Sequence, residues 1–125
     1  MSDALPPRRL LVVDDEPDTA DVLAQLLQLL LPGWSVGVAY DGQAALEQAQ
    51  RDWPDAVILD IEMPVLDGVG AAMALRADAH GTAPVLVAVS GSILKADAAR
   101  ARGVFDHVML KPVDAAALGR LLESA

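Results

Sequence analysis

Ala56-Val57-Ile58-Leu59-Asp60-Ile61-Glu62-Met63-Pro64 sets a short, unbroken apolar run against a carboxylate, a second acid and then a proline. A run with no polar alternation suits a strand covered on both faces, and it is too short for a helix. It therefore predicts a buried parallel strand that delivers Asp60 at its carboxyl end. Working outward, comparable runs lie at Leu10–Val13, Val36–Ala39, Val85–Val89 and Val104–Leu110. Segments of helical spacing fall between and after them. The clearest sets Val22, Leu23, Leu26, Leu27 and Leu30 on one stripe, with Asp18, Asp21, Gln25 and Gln28 mostly away from it. Pro17 suits its first turn and Pro32-Gly33 its end. Further helices are expected over Gln43–Arg51 (Ala45, Leu46 and Ala49 inward), Val69–Ala77 (Val69, Ala72, Met73 and the Arg76 stem inward), alanine-rich Leu94–Arg102, and Asp114–Glu123. The last would use Leu118, Leu121 and Leu122, with Asp114 as N-cap. Strands alternating with helices predict an α/β fold, a doubly wound parallel sheet with helices on both faces.

The 125 residues suit one domain, expected over 1–125 with its core at about 9–122 and no output domain. Apolar residues make up 54% and aromatics only 3%, so Leu, Val, Ile and Ala must build the core. Acids outnumber bases 18 to 9, and the net charge of −9 argues against direct nucleic-acid binding. It fits a protein that binds cations or meets basic partners. Cysteine is absent, which excludes disulfides, thiolate zinc sites and cysteine nucleophiles. His80 and His107 are the sole imidazoles, too few for a multi-histidine metal centre. Asp3 and the prolines before Arg9 do not make a signal peptide. The leucine-rich Leu26–Leu31 is far short of the ~20 residues of a membrane span. A cytoplasmic protein with no membrane contact is expected.

The chemistry is carried by the residues at the strand ends. Ligands of a doubly wound sheet bind at the carboxyl ends of its strands. Those ends read Asp14-Asp15-Glu16, Asp60-Ile61-Glu62, Ser90-Gly91-Ser92 and Lys111-Pro112. Any one of them is unremarkable, since Asp and Ser cap helices and start turns. Together they are not, because a lysine at a helix start opposes the macrodipole. Carboxylates gathered this closely repel one another unless a cation enters. Mg²⁺ suits such a site, keeping waters and a phosphate oxygen beside a few carboxylates. Lys111 and the Ser90 hydroxyl would then serve the other phosphoryl oxygens. Asp60, alone at the end of the central run, is the natural nucleophile, giving an aspartyl phosphate.

These residues resemble the response-regulator receiver domain of two-component signalling, a CheY-like module. Leu11-Val12-Val13-Asp14-Asp15-Glu16 is similar to its first strand and acidic pair, and Val57 to Pro64 with Asp67-Gly68 to its phosphoacceptor segment. Val89-Ser90-Gly91 and Leu110-Lys111-Pro112 match its hydroxyl and lysine positions. The resemblance implies a flavodoxin-like (βα)5 three-layer sandwich of strand order 2-1-3-4-5, with a cis Lys111–Pro112 bond. It implies that Asp60 accepts phosphate from a histidine kinase or histidine phosphotransferase. Asp14, Asp15, Asp60 and the backbone carbonyl of Glu62 would hold Mg²⁺, Lys111 would pair with the phosphoryl oxygens, and Ser90 would swing toward them. Such a protein is not a conventional enzyme but a phosphoacceptor that catalyses its own phosphorylation and dephosphorylation. Its output would be contact with a downstream protein, or a homodimer, through the face of helix 4, strand 5 and helix 5, where Ile93, Leu94, Val104 and Val108 offer apolar side chains.

One departure stands out. The family places an aromatic or histidine three residues before the lysine, and here Val108 occupies that position, with few rotamers and no polar tip. His107 reads as a solvated strand residue, and Trp34 and Trp53 as packing residues. Glu62 sits where family members tune dephosphorylation, and its carboxylate reads either as an agent on water or as a solvated loop acid. An aspartate-nucleophile phosphatase would want Asp rather than Glu at 62 and a cap or larger core. A flavodoxin-like nucleotide binder would want a Ser/Thr/Gly-rich loop in place of Asp14-Asp15-Glu16. A degenerate receiver would have lost part of the set that is intact here.

Overall fold

The apolar runs form the strands β1 (Arg8–Val13), β2 (Trp34–Ala39), β3 (Ala56–Asp60), β4 (Val85–Ser90) and β5 (His107–Leu110). They alternate with helices α1 (Pro17–Leu30), α2 (Gly42–Arg51), α3 (Gly68–Ala77), α4 (Ile93–Arg102) and α5 (Ala115–Glu123). The computed structural model describes residues 8–62, 68–77 and 83–124. Met63-Pro64, Asp67, His80, Asp3 and the Val69 side chain lie outside the described residues. The 5-stranded sheet is parallel throughout with the order β2-β1-β3-β4-β5. This is the doubly wound arrangement expected, with the order reversing between β1 and β3. Among the described residues no helix is long and apolar enough to cross a membrane.

Strand alternation sorts the core into two layers. Leu10, Val12, Ile58, Val87 and Val89 face α1 and α5, meeting Ala20, Ala24, Leu27, Leu118 and Leu122. Leu11, Val13, Val57, Leu59 and Leu86 face the other way, against Ala45 and Ala49 of α2 and Ala71, Ala72 and Leu75 of α3. Ala88 and Ile61 meet Ala99 of α4 on that second side. Small alanines on the helices let the backbones come close to Val- and Leu-rich strands, which is how a core with few aromatics fills its volume. Trp34 is buried in the first layer with the Arg8 guanidinium 5.4 Å from its ring centre, and Trp53 packs against the second.

Several expectations need correction. The inward stripe of α1 is Ala20, Ala24 and Leu27, with Leu23 half-buried, while Val22, Leu26, Leu29 and Leu30 are exposed. Leucine density therefore misplaces the face: close approach to the sheet selects the alanines, and Leu29 stays 80% exposed. Met73 of α3 is likewise exposed rather than inward. Arg76 turns its guanidinium to the Val104 carbonyl (2.5 Å) and the Asp106 carboxylate (3.1 Å). Strand β5 begins at His107, not Val104. The α4 helix ends on Gly103, whose φ of 69° is left-handed. Asp106 then uses its carboxylate to accept from the Leu86 N–H (2.7 Å) while its own N–H donates to the Leu86 carbonyl (2.8 Å). A side chain thus fills the place of a further ladder bond, and Val104 and Phe105 pack on the core instead. The expected N-cap holds: Asp114 accepts from Ala117 N–H at 3.2 Å.

Side-chain amides finish one edge of the sheet. Ala39 of β2 turns its carbonyl to Asp14 in the direction of β1, so Trp34, Val36 and Val38 direct their peptide groups outward. Gln28 donates to the Trp34 carbonyl (2.7 Å) and accepts from the Val36 N–H (3.2 Å), and Gln48 donates to the Val38 carbonyl (2.7 Å).

Candidate functional site

Parallel strands in register end at one level, and this brings the sequence-selected side chains together. Val13 pairs with Leu59, and Asp60 with Val89. Asp14 continues the alternation of Leu10 and Val12, Asp60 that of Ala56 and Ile58, and Lys111 that of Met109, so all three fall on the α1 and α5 side. Ligand oxygens of Asp14, Asp15 and Asp60 lie within 4.8 Å of one another. The Lys111 ammonium reaches Asp60 Oδ2 at 3.0 Å and Asp14 Oδ2 at 3.5 Å. Asp60 is 3% exposed and Asp14 5%, whereas Asp15 is open to solvent.

The remaining oxygens are held by local backbone. Asp14 Oδ1 accepts from Glu16 N–H and Asp60 Oδ1 from Glu62 N–H, each at 2.9 Å. Both are turns in which a carboxylate takes the amide two residues on, as Asp readily does where a strand stops. Burial is the main influence on Asp14. The Glu16 amide and Lys111 offset part of it, Asp60 adds to it, and the carboxyl ends above its ordinary range. Burial also acts against the Lys111 charge, but the hydrogen bond and charge of Asp60, with those of Asp14, outweigh it and raise the ammonium's pKa.

Ser90 is fully buried at the next strand end, on the opposite alternation with Leu86 and Ala88. Its hydroxyl donates to Glu62 Oε1 at 2.5 Å, and the Gly91 N–H donates to the same oxygen at 3.1 Å. Ser90 Oγ accepts from Ser92 N–H at 3.0 Å, and Ser92 is the N-cap of α4, accepting from Lys95 N–H at 3.3 Å. The structure thus gathers Asp14, Asp15, Asp60 and Lys111, and places Ser90 beside them but turned to Glu62. The Glu62 carboxylate is a participant that sequence reasoning left between two readings. Its signal was the spacing, two residues beyond Asp60. The Lys111–Pro112 bond is cis, as the resemblance implied.

An apolar trough of about 700 Å³ opens beside this cluster, with Val22 and Leu26 of α1 on one wall and Val113 on the other. Asp14 and Lys111 are among the residues that line it. The donor set, three carboxylates with one exposed, fits a hard divalent cation that keeps several waters.

Comparison with known proteins agrees with this geometry. The family model for the response regulator receiver domain matches residues 10–123. The transcriptional regulatory protein PrrA of Mycobacterium tuberculosis is 44% identical over 105 residues, which is 83% of this chain and 43% of that protein. The chain therefore spans less than half the length of that relative. A CheY-like receiver domain from Methylobacillus flagellatus superposes with a TM-score of 0.84 at 30% identity, covering 94% of this chain and 98% of that one. The receiver domain of the sensor histidine kinase PA1611 from Pseudomonas aeruginosa, described with magnesium coordinated in its active-site cleft, gives 0.81 at 29% identity, covering 94% and 96%. The chain belongs to the response-regulator receiver domains, the phosphoacceptor modules of two-component signalling.

Proposed function

We propose that Asp60 is the phosphoacceptor of this receiver and that Asp14, Asp15, Asp60 and the Glu62 carbonyl hold Mg²⁺. The observation that carries the reading is the convergence of Lys111, Asp14 and Asp15 on a nearly sealed Asp60. A carboxylate oxygen of Asp60 attacks phosphorus as the P–N bond to the donor imidazole breaks, and the imidazole leaves with the electron pair. Lys111 moves from the carboxylate to the transferred group, donating to its oxygens. Bound Mg²⁺ supplies the charge that lets an acidic pocket receive a phosphoryl group. Hydrolysis reverses the state when water attacks phosphorus and the Asp60 oxygen leaves. The protein is in this sense a self-catalysing phosphoacceptor rather than a conventional enzyme.

The trough between α1 and the residues after β5 is lined in part by Asp14 and Lys111, so it supports docking of a protein donor, a histidine kinase or phosphotransferase. Ile93 and Leu94 at the start of α4 are exposed and offer apolar contact to a downstream protein or a second copy. Val104 and Val108 are half-buried against the core and give less than the sequence promised. Val108 also lacks the aromatic reporter, so output through α4 would start at the Ser90 to Ser92 contact. With no nucleic-acid surface favoured by the charge, a cytoplasmic signalling role fits. Incubation with Mg²⁺ and acetyl phosphate should add one phosphoryl group, seen by mass spectrometry and lost in Asp60→Asn or with EDTA. An unlabelled wild type, or equal labelling of the Asn variant, overturns the reading.

A further inference from the structure

Glu62 holds two donors with one oxygen. A hydroxyl has one proton, and the carboxylate at 2.5 Å takes it in preference to the Ser92 carbonyl at 3.2 Å. The Gly91 N–H is pinned to the same Oε1 at 3.1 Å. Both donors follow directly on the β4 residue that lies beside Asp60, because Asp60 pairs with Val89 and the Ile61 N–H donates to the Val89 carbonyl at 3.2 Å. The Glu62 charge suits the role. The residue is exposed to solvent, and an exposed glutamate is an anion at neutral pH.

We infer that the Glu62 carboxylate is a resident anion on the Ser90 hydroxyl and Gly91 amide, and that a phosphoryl group on Asp60 gains those donors only by displacing it. The inference rests on the phosphoacceptor reading of Asp60. Phosphorylation then exchanges one anion for another: the phosphoryl oxygens take the donors, and Glu62 swings to solvent. Glu62 becomes a positioning residue that favours the unphosphorylated form. It acts through Ser90 and Gly91 and needs no contact with the reacting atoms. Because Ser90 Oγ also accepts from the N-cap of α4, the exchange moves a hydroxyl to which α4 is tied.

The test titrates ¹⁵N-labelled wild type, Glu62→Ala, Glu62→Gln and Asp60→Asn with beryllofluoride in Mg²⁺, as a phosphoryl mimic. In the free protein, Glu62→Ala should move the Gly91 amide proton upfield, and beryllofluoride should bring it downfield in both proteins. A charge-assisted hydrogen bond given up on binding makes the wild-type Kd about tenfold weaker, ~1.4 kcal/mol. Glu62→Ala should therefore bind about tenfold tighter. Glu62→Gln keeps the shape with a weaker acceptor and should fall between them. Equal or weaker binding by both Glu62 variants, or a Gly91 resonance indifferent to Glu62→Ala, overturns the inference while leaving the phosphoacceptor reading intact. A wild type that takes no mimic, or an Asp60→Asn that takes it equally, overturns both, and this is read without any Glu62 variant.

Discussion

Removing the Asp14 charge should make the metal-free protein more stable. Asn at this position keeps an Oδ acceptor for the Glu16 N–H while removing the charge and the Oδ2 acceptor that faces Lys111. At an effective dielectric of about 20, the repulsion from Asp60 within 4.8 Å is at least about 3.5 kcal/mol, and attraction to Lys111 at 3.5 Å is about 4.7 kcal/mol. These nearly cancel, so burial of a carboxylate that is 5% exposed, together with repulsion from Asp15, decides the sign. We expect Asp14→Asn to gain on the order of 1–2 kcal/mol in EDTA, roughly 4–8 °C in Tm for a domain of this size. Mg²⁺ at about ten times its Kd stabilises the wild type by ~1.4 kcal/mol and should do little for the variant, closing the gap. The effect also has a pH signature. The folded carboxyl titrates above its unfolded value of 3.8, so between the two the unfolded chain is the one that ionises first. The wild type therefore loses stability relative to the variant as pH rises through that window, and the difference is constant above it and absent below pH 3.8. Thermal and urea unfolding with and without Mg²⁺ provide the assay. An Asn variant less stable than wild type in EDTA at pH 7 would refute the reasoning, because Asp14 would then be a net favourable partner of Lys111.

Two further outcomes test the packing. Leu27→Ala should cost about 2–5 kcal/mol in urea unfolding, while Leu29→Ser, four-fifths exposed on the same helix, should stay within about 0.5 kcal/mol; similar losses at both would refute this division of α1 into a buried and an exposed face. Asp106→Ala should cost about 1–3 kcal/mol by stranding the buried Leu86 N–H, with Asp106→Asn recovering most of it. A neutral Ala variant would mean that the carboxylate is not what ends the β4–β5 ladder.

The sheet and most of the pocket were readable because both follow from short-range regularities. An unbroken apolar run names a two-sided strand, and its next residue names what the strand delivers, as with Leu59 and Asp60. What escaped depends on orientation. Val22, Leu26 and Leu30 lie on one stripe of α1, but so do Ala20, Ala24 and Leu27 on another, and only the distance between helix and sheet chooses the alanines. The start of β5 was hidden because an Asp side chain substitutes for backbone at Leu86, which no propensity records. Glu62 was ambiguous for the same reason: its partners, Ser90 and Gly91, lie 28 and 29 positions away in sequence.

The amides of Gln28 and Gln48 have a consequence for how copies of this protein meet. An open strand invites a neighbour's strand to add to it, which is how sheets grow into fibrils and how extended peptides are captured. On β2 the invitation is already answered, because two glutamines from α1 and α2 present the carbonyl and amide pattern of a neighbouring chain without having its backbone. Their exchange for leucine or alanine would leave that template bare at little change in shape. Growth of the sheet from the β2 edge is thereby disfavoured.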